Sequence, residues 1–104
     1  MSNVDLTKIV TAEERAEAEA LARAQAIKAE VQARIFAVVD QNTQASLLAA
    51  MVADALDPAD QATFVAGQTW IEATKQAGRD AIENDTVPVW PAIPAGVADL
   101  AERF

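Results

Sequence analysis

At 104 residues the chain is long enough for one domain and no more. Eight Lys and Arg stand against sixteen Asp and Glu, a net charge of −8 with no basic run, so a nucleic-acid or anionic-membrane partner is not expected. Cysteine, histidine and tyrosine are all absent, which removes disulfides, thiolate metal sites and most general bases and nucleophiles.

Twenty-five alanines favour helix but add little buried area per residue. The larger apolar residues suffice for one thin helical core. A domain of this size is marginal unless that core is well packed or completed by a partner, which leaves a homo-oligomer open.

In chain order, "MSNVDLTKIV" has apolar residues at Val4, Leu6, Ile9 and Val10 and no helix-start signal. It reads as an extended arm over residues 1–10, and it lacks the charged and apolar regions of a secretory signal. Residues 11–104 read as a single helical domain.

"TAEE" at Thr11 is a capping box, and no proline or glycine follows until well past Val39. A helix over about 12–39 is expected, ~42 Å long at its rise per residue. Glu19–Arg23 and Glu30–Arg34 have i,i+4 spacing in the favourable order. Only Leu21 is large in the first half. From Ile27 a stripe of Ile27, Val31, Ile35 and Val38 appears, widened by Phe36 and Val39. The second half should therefore face a core. The first half should be solvated or lie against close-packed neighbours. A trimeric coiled coil stays open, although Lys28 in the Leu21–Val31–Ile35 heptad seam weighs against it.

"DQNTQ" breaks this helix, and Asn42 or Thr43 can cap a second over about 43–56, with Leu47, Leu48, Met51, Val52 and Leu56 on one face. "DPAD" opens the third: Asp57 caps, Pro58 takes the first position and Asp60 the third. This helix should run over about 58–84. Phe64, Gly67, Ile71, Gly78 and Ile82 form one stripe, and its two glycines predict close packing against another helix. Trp70 falls beside it.

Pro88, Pro91 and Pro94 then force an extended strap over 86–95, and a terminal helix follows over 96–104. Val89, Trp90, Ile93, Val97, Leu100 and Phe104 are too apolar for a solvated tail. The segment should pack back across the helices with Trp90 as its main anchor. Its rival reading is a docking peptide for another protein, since an extended proline-flanked backbone is pre-ordered for binding. The fold class expected is all-α.

Little chemistry is available. Ser2 and Ser46 lack a nucleophile-elbow setting, and three glycines make no phosphate loop. Asp54, Asp57 and Asp60 recur every three residues, but capping accounts for two of them and no calcium-loop pattern follows. Glu72–Lys75 and Arg79–Glu83 read as solvated helix-face pairs. No catalytic, cofactor-binding or metal-binding residue is expected. No apolar run approaches the ~20 residues a membrane span needs.

"VDLTKIVTAEERAEAEALARAQAIKAEV" resembles the opening of small bacteriophage and prophage proteins of alphaproteobacteria. "FVAGQTWIEATKQAGRDAI" followed by "WPAIPAGVADLAERF" is similar to helical modules at the ends of phage tail-fibre and tail-assembly proteins. The resemblance spans most of the chain, and the W-P-x-I-P-A-G-V segment is its most distinctive part. It implies a non-enzymatic virion structural or assembly protein, made in the host cytoplasm and bound to other virion proteins of tail, fibre or capsid. The leading expectation is a tail or tail-fibre component. A capsid decoration protein, clamping subunits with arm and tail, is the alternative. An acidic cytosolic adaptor or inhibitor ranks third, because the carboxylates are spread around the helices.

Overall fold

The computed structural model describes residues 11–104. The arm with Val4, Leu6 and Ile9 lies outside them. Among the described residues four helices follow one another: α1 (Ala12–Val38), α2 (Gln41–Val52), α3 (Pro58–Asn84) and α4 (Val97–Glu102). Among the described residues there is no strand. The protein is all-α with three main helices, a proline-rich strap and a short terminal helix.

Helix starts are set locally. Thr11 Oγ1 accepts from the Glu14 amide at 3.1 Å. Asp57 Oδ1 accepts from the Asp60 amide at 2.8 Å, ahead of Pro58 in the first turn. The second helix begins two residues earlier than expected. Asp40, not Asn42 or Thr43, is its cap and accepts from the Thr43 amide at 2.7 Å. Its carboxylate reaches an orphan helix amide in the way Asp57 does. The two starts share a second device four residues on. Gln44 Nε2 donates to the Val39 carbonyl at 2.9 Å, and Gln61 Nε2 donates to the Leu56 carbonyl at 2.8 Å. Val39 and Leu56, each just before a cap, are buried.

The Thr43 amide, and secondarily its hydroxyl, holds the Asp40 carboxyl below the ordinary aspartate value. A carboxyl depressed in the folded state contributes stability above its unfolded pKa and loses it as pH falls through the folded one. Asp40→Ala is therefore expected to lower the melting temperature at neutral pH. It should also flatten the acid dependence below the ordinary aspartate pKa. Thermal melts from neutral to acidic pH check both.

Helix ends also follow local rules. α2 stops at Val52 rather than near Leu56, because Asp54 turns left-handed at φ 56°. The Ala55 amide bonds the Ala50 carbonyl at 2.8 Å, and the Asp54 amide bonds Met51 at 3.2 Å, which is a Schellman turn. This turn swings Leu56 into the core while Leu48 and Val52 stay exposed, so the expected single apolar face of α2 is split. α3 ends the same way on Asp85, at φ 54°, with the Thr86 amide on the Ala81 carbonyl at 3.0 Å. Aspartate tolerates this conformation better than most side chains.

α1 and α3 run antiparallel. Arg23 lies at the C-terminal end of α3, Ile27 and Val31 lie over Gly78, and Ile35 packs with Trp70 and Ile71. Expected charge pairs are redrawn by this packing. Arg34 Nε does bond Glu30 at 2.8 Å. Arg23, however, leaves Glu19 and donates to the Ala81 carbonyl at 3.3 Å and to the Thr86 carbonyl, with Asp85 Oδ1 at 3.4 Å. Those carbonyls carry the negative end of the α3 dipole, so a cation is favoured there. Arg79 bonds Gln76 rather than Glu83.

The core has two parts. Ile35, Trp70 and Ile71 join α1 to α3, with Val31 and Val38 against them. Val39, Leu47, Val97, Leu100 and Ala101 close the other end, where the early turns of α3 meet α2 and α4, with Phe64 packed alongside.

The two stripe glycines are not equivalent. A Cβ on Gly78 would stand 2.6 Å from Val31 Cγ2, whereas one on Gly67 would meet Val97 Cγ1 at an ordinary 3.5 Å. Alanine gains ~1 kcal/mol of helix propensity over glycine. Gly67→Ala should thus raise stability by up to ~1 kcal/mol. At Gly78 the stiff β-branched Val31 must yield, and overpacking costs ~1–3 kcal/mol, so Gly78→Ala should be destabilising. Adding Val31→Ala should relieve the Gly78→Ala clash, which urea unfolding of the double-mutant cycle measures.

Candidate interaction surfaces

The strap and terminal helix are one candidate. Val97 and Leu100 are buried in the lower core, and Gly96, at φ +88°, turns the chain into α4. Arg103 Nη2 bonds Asp60 Oδ1 at 2.7 Å, tying α4 to the start of α3, and that carboxylate raises the guanidinium pKa above its ordinary value. Trp90 is only half-buried, with the Arg34 guanidinium 4.6 Å from its ring centroid. The buried tryptophan is instead Trp70, 4% exposed, whose Nε1 donates to the Pro91 carbonyl at 3.4 Å. The anchor of the strap is thus on α3, and Trp90 acts as a lid over Arg34. Ile93 and Phe104 remain exposed, as do Val87 and Val89 at 82% and 85%. The segment is a strap on its inner side and an apolar edge on its outer side.

Of the glycine stripe, Gly67, Ile71 and Gly78 are buried and Phe64 and Ile82 are half-buried. Ile71, Gly78 and Ile82 reach one side of a groove between α1 and α3. This groove, of about 530 Å³, has an apolar floor that also includes Ile27, Val31 and Ile35. Phe36 stands at its margin, 41% exposed. Lys28 enters from α1, and Lys75 and Arg79 enter from α3; no carboxylate is part of the lining, although Lys75 Nζ stands 3.5 Å from Glu72 Oε1 on the outer face of α3, the expected i,i+3 pair. In a chain of net charge −8 this is a local concentration of positive charge over apolar surface. The sequence hid it because the three cations lie on two helices and meet only when those helices pair.

The first half of α1 is the counterpart. Arg23 marks the level at which α3 ends, so Ala12–Ala22 continue past it for about 16 Å of helix. Every residue from Thr11 to Ala22 is exposed, Leu21 by 60%. This stretch carries Glu13, Glu14, Glu17 and Glu19 against Arg15 alone.

The recurring aspartates serve structure. Asp57 caps α3, Asp60 holds Arg103, and Asp54 sits in the left-handed turn with its Oδ1 3.4 Å from Gln61 Nε2. Among the described residues no group of three acidic side chains is arranged to hold a metal ion, and no described helix is long and apolar enough to cross a membrane. No family model matches the chain, and neither a curated protein nor a solved structure is similar to it.

Proposed function

We propose that the chain is a non-enzymatic structural or assembly protein of a bacteriophage particle, associated with the tail or tail fibre, that works through contacts with other virion proteins. The observation that carries the contact-making part is the uncovered length of α1, Thr11 to Ala22, standing beyond the end of α3. A helix with no packed face gains little from its own fold, since most helical stability in proteins comes from burial of one face. The particle itself is suggested by the resemblance of the Trp90–Val97 segment and of the opening helix to phage tail-fibre and tail-assembly modules.

Capsid decoration asks the tail to clamp a neighbouring subunit. Val97, Leu100 and Ala101 are already used inside the fold, which favours the tail reading over decoration. The test is quantitative mass spectrometry of purified particles from the parent phage. An abundance far below the major capsid protein supports a tail component. Parity with the capsid protein replaces it with decoration, and absence from particles leaves only an assembly factor or no virion role.

A further inference from the structure

Two solvent-facing surfaces of this molecule are complementary to each other. The groove between α1 and α3 is apolar with a cationic margin of Lys28, Lys75 and Arg79. The overhang of α1 is acidic, with one exposed large apolar residue, Leu21. They cannot meet within one chain, because both are built on the same continuous helix. They can meet between two chains.

Helical periodicity places them on one face. Glu14, Leu21 and Lys28 are spaced by seven, and Glu17 falls four residues before Leu21. The acidic stripe of the overhang therefore runs directly into the groove-facing stripe of the same helix. We propose that the chain forms a two-fold dimer in which α1 of one copy lies antiparallel along α1 of the other, the overhang of each resting on the groove of its neighbour.

The register follows from the charges. With Glu17 level with Lys28 of the second copy, the helices cross between Ala22 and Arg23. Glu13 and Glu14 then fall level with Gln32 and Val31, where Lys75 comes in from α3. Leu21 lies beside the two-fold axis and meets its own copy and Ala24, whose small side chain permits close approach. Each contact occurs twice, as an isologous interface requires. About 33 Å of each α1 is paired, and the exposed Leu21 is covered. Lys28, which breaks a heptad seam for parallel strands, is the residue this antiparallel arrangement uses. The inference rests on geometry and charge and stands apart from the particle reading.

The test is sedimentation velocity of the full chain with two charge-reversed variants, Lys28→Glu/Lys75→Glu and Glu14→Lys/Glu17→Lys. Circular dichroism verifies that each keeps its helix content. The wild type should be a dimer whose association weakens as salt rises. Each variant alone places like charges across both contacts and should dissociate on the order of tenfold or more readily. Mixed in equal amounts, the two variants restore opposite charges at both contacts and should form a heterodimer. A wild type that stays monomeric at about 100 µM, where even a weak interface would be populated, overturns the proposal. So does a dimer that both variants retain, or a mixture that does not reassociate.

Discussion

Trp70→Ala should lower stability by ~3–5 kcal/mol, the largest loss expected from any single truncation in this chain. Trp70 is 4% exposed and lies between Ile35 and Ile71, with Val31 and Val38 against it. Its indole also donates to the Pro91 carbonyl, so one side chain joins α1, α3 and the strap. Removing it leaves a large void in a core that has few other large residues to refill it. In a domain of this size ~1 kcal/mol shifts the melting temperature by about 4–8 °C, so the midpoint should fall by tens of degrees.

Two companions separate packing from the hydrogen bond. Trp70→Phe keeps most of the burial and loses the donor to Pro91, and ~1–2 kcal/mol is expected. Trp90→Ala removes a half-buried ring and its stacking on Arg34, an interaction worth ~0.5–1 kcal/mol where solvent reaches it, so it should cost well below Trp70→Ala. Urea unfolding followed by far-ultraviolet circular dichroism ranks the three. Equal losses for Trp70→Ala and Trp90→Ala would refute the assignment of the anchor to α3.

Leu100→Ala should cost ~2–5 kcal/mol and release the C-terminal segment. α4 has only six residues and cannot persist as an isolated helix. It is held by Val97, Leu100 and Ala101 against Val39 and Leu47, and by the Arg103–Asp60 ion pair. The ion pair is exposed and contributes little, so the apolar contact decides whether α4 docks. With Leu100 shortened, limited proteolysis should cut first within the strap and α4. Phe104→Ala, at a residue 43% exposed, should leave both the melting temperature and the cleavage pattern nearly unchanged. A Leu100→Ala protein that resists protease as the wild type does would mean that α4 is held by something other than this cluster.

The amino-acid sequence alone determined where α1 and α3 begin, where the strap lies and which side chains are missing from the chain. Thr11 and the Asp57–Pro58–Asp60 start are legible because a cap is a contact between residues three apart. The prolines are legible because their ring constrains their own backbone. Asp40 and the stop at Val52 were less legible. Asparagine, threonine and aspartate are comparable caps, and a left-handed aspartate has no stronger signature than an exposed one.

Tertiary structure decided everything that depends on which helix lies beside which. It sent Arg23 across to the end of α3 rather than back to Glu19, because three oxygen acceptors there outcompete one flexible carboxylate. It buried Trp70 and left Trp90 half-exposed, because burial of each depends on which helix lies opposite and neither the helical setting of the one nor the proline flanks of the other specifies that. It made Gly78 a tight crossing and Gly67 an ordinary contact. It also gathered Lys28, Lys75 and Arg79 at one groove, since cations nearly fifty residues apart in sequence become neighbours only when antiparallel helices pair.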